Sequence, residues 1–240
     1  MENIYSVGSI VTFKTHPLLY DLYIKGDGKL VPPFMVVKEV FFESKKKQIV
    51  DEYSGKVIAE RIKYNCIYFD DNRTEFKEVM IYESFLKSFK NLFIAKIEGK
   101  PETDKNDYLS LISEAKKYKD PKYIYGNLIY FKTKKFEIFK KRISKKTETE
   151  TIDNLRVTDI KETKQYVVNY STPEFVICGF KKNEEESLFY PNGEKKKIIS
   201  SELFKVKWFN STQLKLSEQY LPKECFIDEQ PFETLVAHNS

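Results

Sequence analysis

Tyr5-Ser6-Val7-Gly8-Ser9-Ile10-Val11-Thr12-Phe13-Lys14-Thr15 returns later in the chain as Tyr123-Ile124-Tyr125-Gly126-Asn127-Leu128-Ile129-Tyr130-Phe131-Lys132-Thr133. Five of the eleven positions are identical, and Ile10-Val11 is answered by Leu128-Ile129. A repeat of this kind sets the architecture, because each copy must form the same element. Working outward, Pro33-Phe34-Met35-Val36-Val37 is matched by Pro173-Glu174-Phe175-Val176-Ile177. Tyr64-Asn65-Cys66-Ile67-Tyr68-Phe69-Asp70 is matched by Phe204-Lys205-Val206-Lys207-Trp208-Phe209-Asn210. Phe76-x-Glu78 and Leu216-x-Glu218 follow, and Phe85-Leu86 or Cys225-Phe226 closes each copy. Residues 32–86 therefore lie on 172–226 without a gap, and the second copy carries a longer insertion at 134–172.

The motifs alternate apolar and polar residues or form short β-branched runs, which are strand signals. Gly8 and Gly126 sit where the chain turns into its first strand, and Pro33 and Pro173 suit the first residue of a strand, where no ladder donor is lost. Asp70-Asp71-Asn72-Arg73 and Asn210-Ser211-Thr212 read as hairpin loops, and Pro191-Asn192-Gly193 places a further hairpin at 186–199. The expected fold class is mainly β with minor α: two small, partly open barrels joined by a short helix. The first module spans 1–100, a helical linker 101–121 and the second module 122–240. The helix is expected because Thr103 or Asp104 can cap it and Tyr108, Leu109, Leu111, Ile112 and Ala115 form an apolar stripe, with Pro121 as its stop. Residues 84–97 fit either a helical face or a closing strand.

The order Gly8, Ile10, Val11, Lys14, Thr15, then Pro33, Met35, Val37, then Cys66, Tyr68, Phe69 resembles the small, uncharacterised bacterial proteins of the YodC type. The second copy keeps Gly126, Lys132, Thr133, Pro173, Trp208 and Phe209, with Phe175 in place of the methionine and Val206 in place of the cysteine. The resemblance implies an SH3-like barrel for each copy. It implies no activity, since the matched positions are core and turn residues.

Composition narrows function by exclusion. The 240 residues carry a net charge of +5, with 15% aromatic residues and three cysteines, Cys66, Cys178 and Cys225, at spacings that make neither a disulfide framework nor a metal knuckle. Buried thiols, no signal peptide and no apolar run near the roughly 20 residues needed to span a bilayer point to a cytoplasmic chain. The only histidines are His16 and His238; no chelating pair, phosphate loop or dinucleotide fingerprint is present. Asp70, Asp71, Glu75 and Glu78 read as a solvated hairpin rather than a cation site. No catalytic residue, metal, cofactor or small-molecule substrate is expected, and the chain reads as a non-enzyme.

Two binding readings remain. Tandem small barrels suit a protein partner, engaged through exposed aromatics such as Tyr20, Tyr23, Tyr68 and Tyr82, as a scaffold or as a subunit of a larger complex. The alternative is nucleic acid. Residues 116–146 hold twelve Lys or Arg against Asp120 and Glu137, interleaved with Tyr and Phe, and Lys134, Lys135, Lys140, Lys141, Arg142, Lys145 and Lys146 are the candidate contacts. Against it, only four of the 41 basic residues are arginine, the side chain best shaped to grip phosphate.

Overall fold

The computed structural model describes residues 2–16, 31–44, 46–47, 49–88, 120–133 and 174–228 with their side chains, and 91–96, 108–113, 140–152 and 155–167 as backbone. In chain order the strands are β1 (Ile10–Phe13), β2 (Phe34–Phe42), β3 (Ile49–Val50), β4 (Val57–Ile58), β5 (Ile62–Asp70), β6 (Glu75–Tyr82), β7 (Leu86–Ser88), β8 (Asn91–Lys96) and β9 (Tyr108–Ser113). There follow β10 (Leu128–Phe131), β11 (Lys140–Ile152), β12 (Leu155–Val167), β13 (Glu174–Lys182), β14 (Lys197–Ile198), β15 (Glu202–Asn210), β16 (Lys215–Pro222) and β17 (Phe226–Ile227). The chain is mainly β, in antiparallel sheets that do not close into a barrel.

The repeated motifs build two sheets of identical order. The first runs β6-β5-β2-β1-β7 and the second β16-β15-β13-β10-β17. Their registers agree residue for residue: Ile10 faces Val36 as Leu128 faces Val176, and Asp70 faces Glu75 as Asn210 faces Lys215. Each central strand shifts register at the same place, between Val37 and Glu39 in one copy and Ile177 and Gly179 in the other. Each has a single 3-10 turn before its last strand, Glu83–Phe85 and Lys223–Cys225. Both β-hairpin turns place a non-glycine residue in the left-handed region, Thr74 at φ 54° and Leu214 at φ 52°. Coincidence at that many irregular points follows from one sequence pattern written twice.

The linker departs from expectation. Tyr108–Ser113, assigned above to a helix over 101–121, is strand β9, paired with β8. Leu109-Ser110-Leu111 alternates at period two, and two serines in six residues compete with helical backbone bonds, so pairing to Asn91–Lys96 outweighs the helical stripe. The rest of the expected helix lies outside the described residues. Within the undecided stretch 84–97, the described residues 84–88 and 91–96 form the end of a 3-10 turn, β7 and β8. The long insertion of the second copy forms a ribbon of two thirteen-residue strands, β11 and β12, paired throughout from Lys140↔Val167 to Ile152↔Leu155. The hairpin around Pro191-Asn192-Gly193 is present, bridged at Phe189↔Lys195 and turning on Gly193 at φ 80°.

Candidate binding surfaces

The two copies share a core, and they share it unequally. The inner face of the second sheet carries Ile129, Phe131, Phe175, Ile177, Phe204, Val206 and Trp208. Into it pack Val36, Ile67, Phe69 and Phe76, which lie on the outer face of the first sheet. Phe76 stacks on Phe175 at 5.2 Å and meets Trp208 edge-on at 5.4 Å, and Phe69 meets Phe175 at 5.5 Å. Such pairs add about 0.5–1.5 kcal/mol each beyond the area they bury. The Trp208 indole donates to the Thr74 carbonyl at 2.8 Å, and Thr212 donates to the Asn72 carbonyl, tying the two β-hairpin turns together. The first sheet thus has both faces covered, since its inner side holds a second core of Val11, Met35, Val37, Val40, Ile62, Tyr64, Cys66 and Leu86.

The second junction is a strand addition. β14 pairs with β2 through Lys197↔Phe41 and Ile198↔Val40, beyond the end of β1. Phe42 N–H donates to the Lys196 carbonyl at 2.9 Å, and Tyr190 Oη donates to the Phe42 carbonyl at 2.7 Å. Lys197 bridges the copies by contacting Glu39 at 3.4 Å and Glu185 at 2.8 Å; burial would lower its ammonium, but hydrogen bonding to Glu185 and the charges of Glu39 and Glu185 hold it above the usual lysine range. At a third junction the buried Lys132 ammonium, lowered by burial, donates to the Gly8 carbonyl at 3.2 Å.

Among the described residues, the outer face of the second sheet carries exposed apolar side chains. Phe209 and Leu216 are the counterparts of Phe69 and Phe76, face each other across β15 and β16, and are 57% and 65% exposed. Leu128 and Val176, counterparts of Ile10 and Val36, face each other across β10 and β13 and are also exposed. Lys205 and Lys207 both pair with Glu218 on the same face. The sequence signal for this surface was present but not singled out above: the repeat keeps an apolar residue at 209, on a strand whose inward positions are already filled by Phe204, Val206 and Trp208, and another at 216 on the neighbouring strand opposite it.

Of the aromatics singled out from sequence, Tyr68 lies half-buried at the border of the core on the inner side of the first sheet. Tyr82 lies half-buried on the edge strand β6, its hydroxyl donating to Glu43 at 3.1 Å and Lys63 poised 4.3 Å from its ring centre. Burial raises the Glu43 carboxyl, yet hydrogen bonds from Lys47, Lys63 and Tyr82 outweigh it and the net direction is down. Tyr20 and Tyr23 lie outside the described residues. In the basic stretch, Phe131 and Lys132 are buried and belong to the core and the junction rather than to an open surface. Lys140, Lys141, Arg142, Lys145 and Lys146 fall at the start of β11, opposite Lys161–Val167 in β12, while Lys134 and Lys135 lie outside the described residues.

The groups that carry chemistry elsewhere are dispersed. His16 is buried against Phe34 at 4.5 Å, and burial pulls its imidazole down to about 4. Burial pushes the Cys66 thiol up to about 12 and raises Cys225 as well, so both stay protonated at neutral pH. Within the acidic hairpin Glu75 pairs with Lys77 and Glu78 with Lys38, and among the described residues no three potential metal ligands converge. No helix among them is long and apolar enough to cross a membrane. No protein family, curated protein or solved structure matches the chain.

Proposed function

We propose that the chain is a non-catalytic scaffold of two SH3-like modules, related to the YodC-type proteins, that holds a protein partner on the outer face of its second sheet. The SH3-like reading draws on the order shared by both sheets: the first strand lies between the second and the last, and a 3-10 turn precedes the last. A cytoplasmic setting suits its three free thiols.

The observation that carries the binding role is the exposed set Leu128, Val176, Phe209 and Leu216. Solvent-facing strand positions normally carry polar side chains, and two apolar cross-strand pairs, Leu128–Val176 and Phe209–Leu216, standing exposed on one face mark an interaction surface. The test is affinity capture with the full chain as bait beside a Phe209→Ser/Leu216→Ser variant. A partner retained by the wild type and lost by the folded variant supports the role. Equal capture by both would remove it from this face.

Nucleic acid is the second reading, favoured by one observation. The pairing of 140–146 with 161–167 brings seven Lys or Arg together against Glu162 alone at one end of the ribbon. Its signature is binding of single-stranded DNA or RNA that weakens steeply with salt and disappears when Lys140, Lys141, Arg142, Lys145 and Lys146 become Ser.

A further inference from the structure

Within the chain the second copy grips the first in two ways: its inner face covers Val36, Ile67, Phe69 and Phe76, and its strand β14 extends β2. Carried over by the gapless register of 32–86 on 172–226, both parts of that grip recur without an occupant. The counterpart of β14 is β4, Val57–Ile58, which among the described strands pairs only with β3. The hairpin 49–58 presents Val50, Tyr53, Val57 and Ile58 to solvent, Tyr53 completely. The counterpart of Val40-Phe41, where β14 docks, is Phe180-Lys181 on β13. There no described strand pairs on the side away from β15. On the outer face of the same sheet Leu128, Val176, Phe209 and Leu216 are exposed.

We propose that these two surfaces belong to each other across chains: the hairpin 49–58 of one chain adds to β13 of a second copy of this chain and so brings the body of the first chain against the apolar outer face of the second. This names the partner of the face assigned above and rests on that reading. Charge supports the pairing. In the internal junction the added segment is basic (Lys195, Lys196, Lys197), and Lys197 contacts Glu39 of the receiving strand, whose Lys38 is itself paired with Glu78. In the proposed junction the hairpin carries Asp51 and Glu52 against its own Lys56, and the receiving strand ends on Lys181 and Lys182. The two carboxylates of the hairpin are therefore attracted to the lysines that end the receiving strand. Strand addition supplies main-chain hydrogen bonds, and the apolar face supplies burial. Because the contact is head to tail, it propagates into rings or filaments rather than closing at a dimer.

Sedimentation velocity of the full chain from about 1 to about 100 µM reads the proposal directly. The wild type is expected to gain mass above the monomer as concentration rises. Two variants each remove one half: Phe209→Ser/Leu216→Ser on the face and Val57→Ser/Ile58→Ser on the hairpin. Each alone should raise the apparent dissociation constant at least tenfold, and an equimolar mixture should form a capped dimer, since each variant retains the half the other lacks. A wild type that stays monomeric, variants that associate as the wild type does, or a mixture that gives no dimer would each overturn it. Loss of a captured partner in the face variant, with no self-association in the wild type, would leave the scaffold reading standing and refute only this one.

Discussion

Gly8 and Gly126 turn the chain into equivalent strands at φ 84° and 85°, yet their surroundings differ. A Cβ on Gly8 would lie 2.7 Å from Glu224 Cβ and 2.8 Å from its carbonyl oxygen, whereas nothing stands within 4 Å of one on Gly126. Gly126→Ala should therefore cost only the left-handed backbone penalty of about 1–2 kcal/mol. Gly8→Ala should add roughly 1–3 kcal/mol of overpacking between the copies. Urea denaturation of both variants checks the difference. His16 makes a pH prediction. Its folded-state value is depressed to about 4 from 6.5, so below pH 6.5 the unfolded chain takes up a proton that the folded chain refuses. The stabilisation is present above pH 6.5 and is lost as pH falls toward 4. Between pH 7 and 5 the wild type should lose about 2 kcal/mol more than His16→Phe, read from urea midpoints. Carboxylates such as Glu43 titrate in both proteins and cancel in that comparison.

At the level of the element, the equivalent strands β6 and β16 do different work. Phe76 on β6 sits among Phe131, Phe175 and Trp208, and Phe76→Ala should destabilise by about 3 kcal/mol or more. Leu216→Ala, at the same place on β16, should stay within about 0.5 kcal/mol because its side chain is solvent-facing. Thermal melts of the pair would show one large shift and one near zero. This asymmetry also marks how far the sequence could be read. The succession of strands and both β-hairpins were legible from alternation, turn residues and the repeat, whereas the placing of the first strand between the second and the last was not. Which faces are covered was legible only in part. β5 reads Tyr64-Asn65-Cys66-Ile67-Tyr68-Phe69, almost continuously apolar, as a strand buried on both sides must. β15 reads Phe204-Lys205-Val206-Lys207-Trp208, alternating as a strand with one wet face does. Alternation says that residues share a face but not what stands opposite, so the docking of one copy on the other could not be derived. Residues 108–113 were misassigned for a related reason: a short apolar stripe satisfies either period, and its partner strand decides.

Across the whole molecule, the shared core means that neither copy is closed without the other. Removing the first copy would open Phe131, Phe175 and Trp208 to water, and removing the second would expose Val36, Ile67, Phe69 and Phe76. Equilibrium unfolding should accordingly show one transition for both. Trp208 is the only tryptophan and stands at the junction, so its fluorescence reports separation of the copies while far-UV circular dichroism reports the sheets. The two curves should coincide. A tryptophan change well ahead of the dichroism would mean that the copies part before they unfold.

The unequal sharing of that core also bears on how the two halves of the chain can change over generations. Recombination between repeats tends to make them alike, but here likeness is harmful. Copying Lys207 into position 67 would place an ammonium group where Ile67 is now wholly buried, at a cost of several kcal/mol. Copying Ile67 into position 207 would remove one of the two lysines that neutralise Glu218 on the open face. Each half is thus held to its own residues by where it sits, so homogenising exchanges are penalised and the two halves drift apart in sequence while keeping one backbone plan.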